Sequence, residues 1–392
     1  MHPIVIIGSG MAAYAVAREF RKIDQNTALV MICADDARNY AKPTLSNALV
    51  GNKAPGQIAL GDAEKMSTQL NMHIMANTWV KAIDAEQQVL ELECDGQPST
   101  QAYAKLVLAL GATPIRAALQ GNATAQVHVV NNLNDYTAFR GELDQKAAQR
   151  VAILGAGLIG CEFANDLQQS GYQATVIDIA EQALARLLPQ DVATQFQSKL
   201  QAAGIEFELG TTVTSIDLES HGYHVTLANG KTLQADMVLS AIGLRANSEL
   251  AQDAGLQVNR GILTDTQLQT SAEHIYAVGD CAEVNGTLLP YVMPIMQQAR
   301  ALAKTLSGHP THVHYPAMPV AVKTPAAPLT VLPVPQDVDV TWKIEPQEDG
   351  LIAQAFDHQH TLRGFVLLGP TAAKQRLSLT KLVPDLIPAQ AQ

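Results

Sequence analysis

Two rhythms of apolar and polar residues run along the chain. Residues 4–7, IVII, are a short β-prone run that breaks into glycines, and AAYAVAREFRKI (12–23) then places apolar residues at helical spacing. The pattern predicts strand, turn and helix over residues 4–23. ALVMIC (28–33) predicts a second strand, ended by the polar turn ADDARN. From about 72 to 94 apolar and polar positions alternate singly, the period of antiparallel strands with one wet face. LVLALGATP (106–114) predicts a buried strand stopped by a Gly-Ala-Thr-Pro turn.

The same order then begins again. VAILGAGLIG (151–160) runs into CEFANDLQQSGY, and ATVIDI (174–179) is the next strand. A meander follows at about 205–230, and MVLSAIGLR (237–245) repeats the strand-then-glycine form of LVLALGATP. The offset from Gly8 to Gly155 is 147 residues, so whole modules are repeated rather than one hexapeptide. IYAVGDC (275–281) follows the second module. From about 316 the chain changes character: MPVAVKTPAAPLTVLPVP is rich in proline and valine, and strands and a helix-like stretch come after it.

Composition narrows the class. A chain of 392 residues with 47% hydrophobic and 16% charged residues exceeds one core and suggests two or three globular domains. The 26 Lys+Arg against 37 Asp+Glu give a formal net charge of −11, and no Lys/Arg run occurs. Nucleic acid and an anionic membrane surface are therefore excluded as expected partners. Cys33, Cys94, Cys161 and Cys281 are too far apart for a CxxC pair or a zinc spacing, which predicts reduced, buried thiols in a cytoplasmic protein. MHPIVIIG lacks the basic start of a signal peptide, and LVLALGATPI, between Lys105 and Arg116, is too short to cross a bilayer. HPTHVH (309–314) has no carboxylate or cysteine beside it, so it is expected to be a solvent-facing linker and no metal site is expected.

Each glycine cluster suits a dinucleotide. The first glycine makes the tight turn, and the second lets backbone approach a pyrophosphate. The third small residue packs helix on strand, with the phosphates at the helix N-terminus. In the first copy the positions are Gly8, Ser9, Gly10, Met11 and Ala12; in the second they are Gly155, Gly157, Leu158, Ile159 and Gly160. A carboxylate ending the next strand should hold the adenosine ribose. Asp178 meets this requirement 21 residues after Gly157, and Asp35, following Ala34, lies 25 residues after Gly10. Asp178 would bond a free 2′-OH and repel a 2′-phosphate, and no arginine follows before Arg186, so NADH is expected over NADPH.

With the two glycine clusters, IYAVGDCA resembles the second fingerprint of FAD-containing pyridine-nucleotide reductases, over essentially residues 1–315. The resemblance implies an α/β fold of two Rossmann-like, glutathione-reductase-like domains plus a small α+β interface domain. The FAD-binding domain would comprise 1–112 and 241–315, the NAD-binding domain 113–240, and the interface domain 316–392. Asp280 would accept a hydrogen bond from the ribityl chain, the first copy would hold FAD tightly, and the second would admit NADH, with Gly243 in the NAD site. Disulfide reductases of this group carry a cysteine pair beside the flavin and peroxide-reducing ones a single cysteine. Here the chain has no pair and Ser46 stands at the second position. Electrons would leave directly from the flavin.

YAKPTLSN (40–47), GAGLIGCEFANDL (155–167), NRGILTDTQLQTS (259–271), YVMPIMQQARALAKTL (291–306) and MPVAVKTPAAPL (318–329) are similar to bacterial rubredoxin–NAD reductases, which feed rubredoxin for alkane hydroxylation. Flavorubredoxin reductases of nitric oxide detoxification are similar over the same segments. Ferredoxin reductases usually show a Tyr-Asp-Arg-Pro-like segment, a lysine after Leu-Ser and a tryptophan-rich C-terminal motif. This chain has Lys42-Pro43, Asn47 after Leu45-Ser46, and tryptophan only at 79 and 342, which favours a rubredoxin-type acceptor. Residue by residue, the resemblance places Lys42 and Lys323 against the flavin ring, where a cation favours the reduced anion. It places Glu162 at the nicotinamide–flavin junction, paired with Lys42. Val80 falls at the adenine end and Val292 at the flavin. The residue types alone also admit solvated lysines and a carboxylate at a helix N-terminus. The implied activity is NADH:rubredoxin oxidoreductase, in a monomer or homodimer. Flavorubredoxin or ferredoxin reductase is the alternative within enzymes, and a slow-turnover FAD/NADH redox-sensing or binding module the alternative outside them.

Overall fold

A computed structural model describes residues 2–145, 149–335 and 337–389. Ile4–Ile7 is fully buried and pairs in parallel with Leu29–Ile32 on one side and Lys105–Leu108 on the other. An all-apolar run suits this place, because both faces of a parallel sheet are covered. His73–Met75 adds to one edge of the sheet and Ile275–Ala277 to the other. The chain thus leaves this sheet after Leu108 and returns to it at Ile275. Alternation from about 72 predicts antiparallel strands throughout, yet His73–Met75 runs parallel to its neighbour. Antiparallel pairing begins at Thr78–Asp84 and continues through Val89–Cys94 and Gln97–Ala102. Three residues are too few for alternation to reveal the partner.

The second parallel sheet is built from Arg150–Leu154, Gln173–Asp178, Glu206–Leu209 and Met237–Ser240. The expected meander is split: Glu206–Leu209 joins this sheet, while Val213–Glu219, Gly222–Leu227 and Thr232–Ala235 form an antiparallel one. Its start is clasped by Asp236, whose carboxylate accepts from the Arg150 guanidinium at 2.8 Å and from the amides of Gln149 and Arg150 at 3.0 and 2.9 Å. These donors, Arg150 first, hold the Asp236 carboxyl down at about 2. A depressed carboxyl stabilises the fold above the ordinary carboxylate range, and that contribution is lost as pH falls toward the depressed value. Asp236→Asn should therefore remove about 2 kcal/mol at pH 7. The difference should shrink as the pH is lowered toward 3, as urea unfolding at several pH values would show.

A two-stranded ribbon, Ala112–Pro114 against Leu244–Ala246, joins the two parallel sheets. The C-terminal sheet, hereafter the third sheet, is antiparallel: Val320–Val322, Leu329–Leu332, Leu362–Leu368, Gly350–Phe356 and Thr341–Gln347 in spatial order. Its period of two sorts the side chains by face. Leu329, Val331, Leu351, Ala353 and Val366 share a core with Phe163, Leu167 and Phe196 of the second unit. Leu332, Ile352, Phe365 and Leu367 face the other way, under Ala372 and Leu379. The HPTHVH run faces solvent at His309 and Pro310 but is pinned beyond them: Thr266 and Gln267 bond His312, Asp385 pairs with His314 at 2.7 Å, and Val313 is buried. Its partners lie far away in sequence, so local composition could not reveal them. No helix among the described residues is long and apolar enough to cross a membrane.

Candidate functional site

The two glycine clusters are built alike. Gly8 and Gly155 sit at φ +116° and +107°, and a Cβ on either would lie 2.3 Å from the Ala109 carbonyl oxygen or 2.5 Å from that of Ala241. Only glycine tolerates both the backbone angle and the contact. Gly160 packs so closely that a Cβ would sit 1.9 Å from the Gly155 oxygen. Gly10 and Gly157 differ: a Cβ there would meet nothing within 4 Å. Each caps a helix without a side-chain cap, Met11–Ile23 and Leu158–Gln169, so the first-turn amides face open space. A helix N-terminus with this clearance suits an anion such as a pyrophosphate. Met11 and Ala12 open the first helix, and Leu158 and the exposed Ile159 the second.

The two strand-end carboxylates have different surroundings. Asp178 accepts from the amides of Ala156 and Ala180 at 2.6 and 2.8 Å, which fixes its orientation and leaves acceptor capacity for ribose hydroxyls. Asp35 takes the Ser9 hydroxyl at 2.6 Å and the Ala37 amide at 3.0 Å, so Ser9 ties the first glycine turn to the next strand. The Asn77 and Thr78 amides bond the Asp35 and Cys33 carbonyls, laying the strand that carries Val80 beside Ala34. Ile179 and Ile242 are exposed near the second cluster, next to Asp178 and Gly243 in sequence, and were not singled out by sequence reasoning. Their apolar character in otherwise polar turns is the signal that marks them. Gly243, at φ +123°, begins the ribbon between the sheets.

Asp280 follows Gly279, whose positive φ and close approach to Ala12 press this turn against the first helix. Burial raises the Asp280 carboxyl, and Lys42 opposes the rise; burial lowers Lys42, and Asp280 opposes that. Asp135 also opposes the fall at Lys42. Val292 is exposed in the first turn of the helix Val292–Leu306.

Glu162 is only 5% exposed, and the structure pairs it with Lys323 rather than with Lys42. One carboxylate oxygen accepts the Lys323 amide at 3.0 Å; the other bonds the Lys323 ammonium and the Ser46 hydroxyl, the latter at 2.7 Å. Lys42 feels the charges of Asp280 and Asp135, whereas Lys323 directly follows the edge strand Val320–Val322 that meets the helix Leu158–Gln169. The same helix carries Asn165, which accepts from Ala326, and the fully buried Asp166, which accepts the Leu49 and Val50 amides at 2.9 Å each. Sequence reasoning missed both. Their signal is positional, because Asn165 and Asp166 stand three and four residues after Glu162, on one face of a helix whose other residues up to Leu167 are apolar or small. That face closes on both the Lys42–Asn47 turn and the third sheet. Each glycine turn suits a dinucleotide, and the helix opened by the second carries the Glu162–Lys323 pair.

Residues 2–305 match the family described as pyridine nucleotide-disulphide oxidoreductase, and residues 312–383 match the rubredoxin binding C-terminal domain. The Rubredoxin-NAD(+) reductase of Acinetobacter baylyi is 67% identical over 392 residues, covering 100% of both chains. That of Alcanivorax borkumensis is 43% identical over 389 residues, 99% of this chain and 100% of the relative. The crystal structure of a ferredoxin reductase from Rhodopseudomonas palustris aligns with a TM-score of 0.86 at 27% identity, covering 98% of this chain and 96% of that one.

Proposed function

The chain belongs to the pyridine nucleotide-disulphide oxidoreductase family, and from that premise we propose that it is an NADH:rubredoxin oxidoreductase. The observation that carries the assignment is the rubredoxin binding segment at 312–383, joined to two dinucleotide cradles with no cysteine pair in the sequence. When bound, FAD supplies the junction between two-electron hydride chemistry with NADH and one-electron transfer to an iron carrier. The turn at Gly8, Ser9 and Gly10 with Met11 and Ala12 holds its pyrophosphate, and Ala34, Asp35 and Val80 hold its adenosine end. Asp280 orients its ribityl chain, and Lys42 and Val292 line its ring. Gly155, Gly157 and Gly160 receive the NADH pyrophosphate, with Leu158, Ile159 and Gly243 beside it. Asp178 binds the ribose. Glu162 is a positioning residue that fixes Lys323 and Ser46 at the junction.

We divide the chain into 1–112 with 241–315 for FAD, 113–240 for NADH and 316–392 for the interface domain, in keeping with the sheets. The enzyme works in the cytoplasm and serves alkane hydroxylation. The test is a steady-state comparison of rubredoxin, flavorubredoxin and a plant-type ferredoxin at fixed NADH. Rubredoxin should give the highest kcat/KM, and a ferredoxin reduced far faster would overturn the assignment. Asp178→Ala should raise the KM for NADH about tenfold and narrow the preference over NADPH, with FAD content unchanged. The flavin spectrum and initial rates measure both.

A further inference from the structure

The proposed partner still needs a place to dock. Rubredoxins are usually acidic and this chain carries a net charge of −11, so overall charge opposes their meeting. One stretch departs from the acidic average: residues 358–384 contain no Asp or Glu. Within it the short helix Arg376–Thr380 and its flanks present Lys374, Arg376 and Lys381, all exposed. None of the three forms an ion pair among the described residues, whereas Arg363 of the same stretch is engaged by Asp357. The helix buries Leu379 against the third sheet. It turns Leu377 and Leu382 outward at 69% and 63% exposure, among the most exposed large apolar side chains described. Leucines ringed by unpaired cations match the anatomy of a transient docking patch.

The patch is also tied to the flavin side. Just beyond it, Leu386 and Ile387 exchange backbone bonds with Tyr315. The buried Tyr315 hydroxyl accepts from Gln298 at 2.7 Å, and Gln298 in turn accepts the Gly279 amide at 2.7 Å, next to Asp280. The segment just beyond the patch is thus joined, through the Tyr315 and Gln298 side chains, to the turn assigned to the flavin.

Resting on the rubredoxin assignment, we infer that Lys374, Arg376, Leu377, Lys381 and Leu382 form the docking surface for an acidic one-electron carrier. A second copy of this chain fits less well, since a two-fold interface would set this basic patch against itself.

The test uses the FAD-loaded full chain. One variant combines Lys374→Glu, Arg376→Glu and Lys381→Glu, and another combines Leu377→Ser and Leu382→Ser. Each should raise the KM for rubredoxin about tenfold or more, the first also flattening its salt dependence. Both should leave ferricyanide reduction and the KM for NADH within about twofold, since small reactants do not use the patch. An unchanged KM for rubredoxin in both variants overturns the surface. So does a matching loss of ferricyanide reduction, which would mark a structural role, or a dimer that dissociates while the rubredoxin KM holds. Wild-type enzyme that fails to reduce rubredoxin overturns the carrier assignment itself, a result separate from these.

Discussion

Gly10→Val should yield a folded but colourless protein, and Gly157→Val a yellow one that NADH no longer bleaches. Both glycines have ordinary extended backbone, φ −73° and −76°, and open space where a side chain would project. Valine therefore fits the protein and strains nothing, and its methyl groups occupy the room in front of the helix amides. In the first cradle this should lower retained FAD below about a tenth of wild type, because the pyrophosphate loses its closest backbone contacts. In the second it should slow bleaching by NADH about 100-fold, the effect of a displaced nicotinamide. Absorbance after gel filtration, circular dichroism and stopped-flow bleaching separate the two outcomes. Gly8 and Gly155 are poorer probes, since a Cβ there strikes a carbonyl and disturbs folding as well as binding. If Gly10→Val kept its flavin and Gly157→Val lost it, the two cradles would have the opposite assignments.

Glu162→Ala should produce the second large effect, on stability and on flavin reduction together. Among the described residues its carboxylate is the only acceptor of the Lys323 ammonium, and it also takes the buried Ser46 hydroxyl and the Lys323 amide. Removing it leaves the Lys323 amide and ammonium without this acceptor and the Ser46 hydroxyl with only its longer bond to the Pro43 carbonyl, a loss of about 2–4 kcal/mol in urea unfolding. The contact between the Leu158–Gln169 helix, the Lys42–Asn47 turn and the third sheet then rests on Asn165 and Asp166. Bleaching by NADH should slow about tenfold as the two cradles lose their fixed relation. Glu162→Gln, which keeps one acceptor oxygen, should lose about 1 kcal/mol. A cycle with Lys323→Met should give a coupling of about 1–3 kcal/mol. Strict additivity would mean that the pair does not act as a unit.

Features carried by local physics were legible in the sequence. Ile4–Ile7 and Arg150–Leu154 announced themselves as apolar runs breaking into glycines, and the required backbone angles at Gly8 and Gly155 follow from that turn. Asp178 was placed by its distance from Gly157 along the chain. Features set by tertiary contact were not legible. The Lys323 partner of Glu162 lies 161 residues away, and nothing in AVKTP names a carboxylate on another domain. Lys42 opens the turn whose Ser46 bonds Glu162, yet only packing decides that Glu162 pairs with Lys323 instead. Nothing local separates His312 from a solvated linker residue, because its bond to Thr266 spans 46 positions. The basic, leucine-bearing helix at 376–380 is visible only against the acidity of the rest of the chain, once burial shows which leucines face out.

The most direct measurement is a double-mixing experiment without oxygen. The FAD-loaded enzyme is first bleached with one equivalent of NADH, then mixed with oxidised rubredoxin, with plant-type ferredoxin, or with oxygenated buffer. Return of the flavin colour should be much the fastest with rubredoxin and should keep pace with loss of the rubredoxin iron absorbance. Faster recolouring with oxygen or ferredoxin, or no bleaching by NADH in the first mix, would contradict the account.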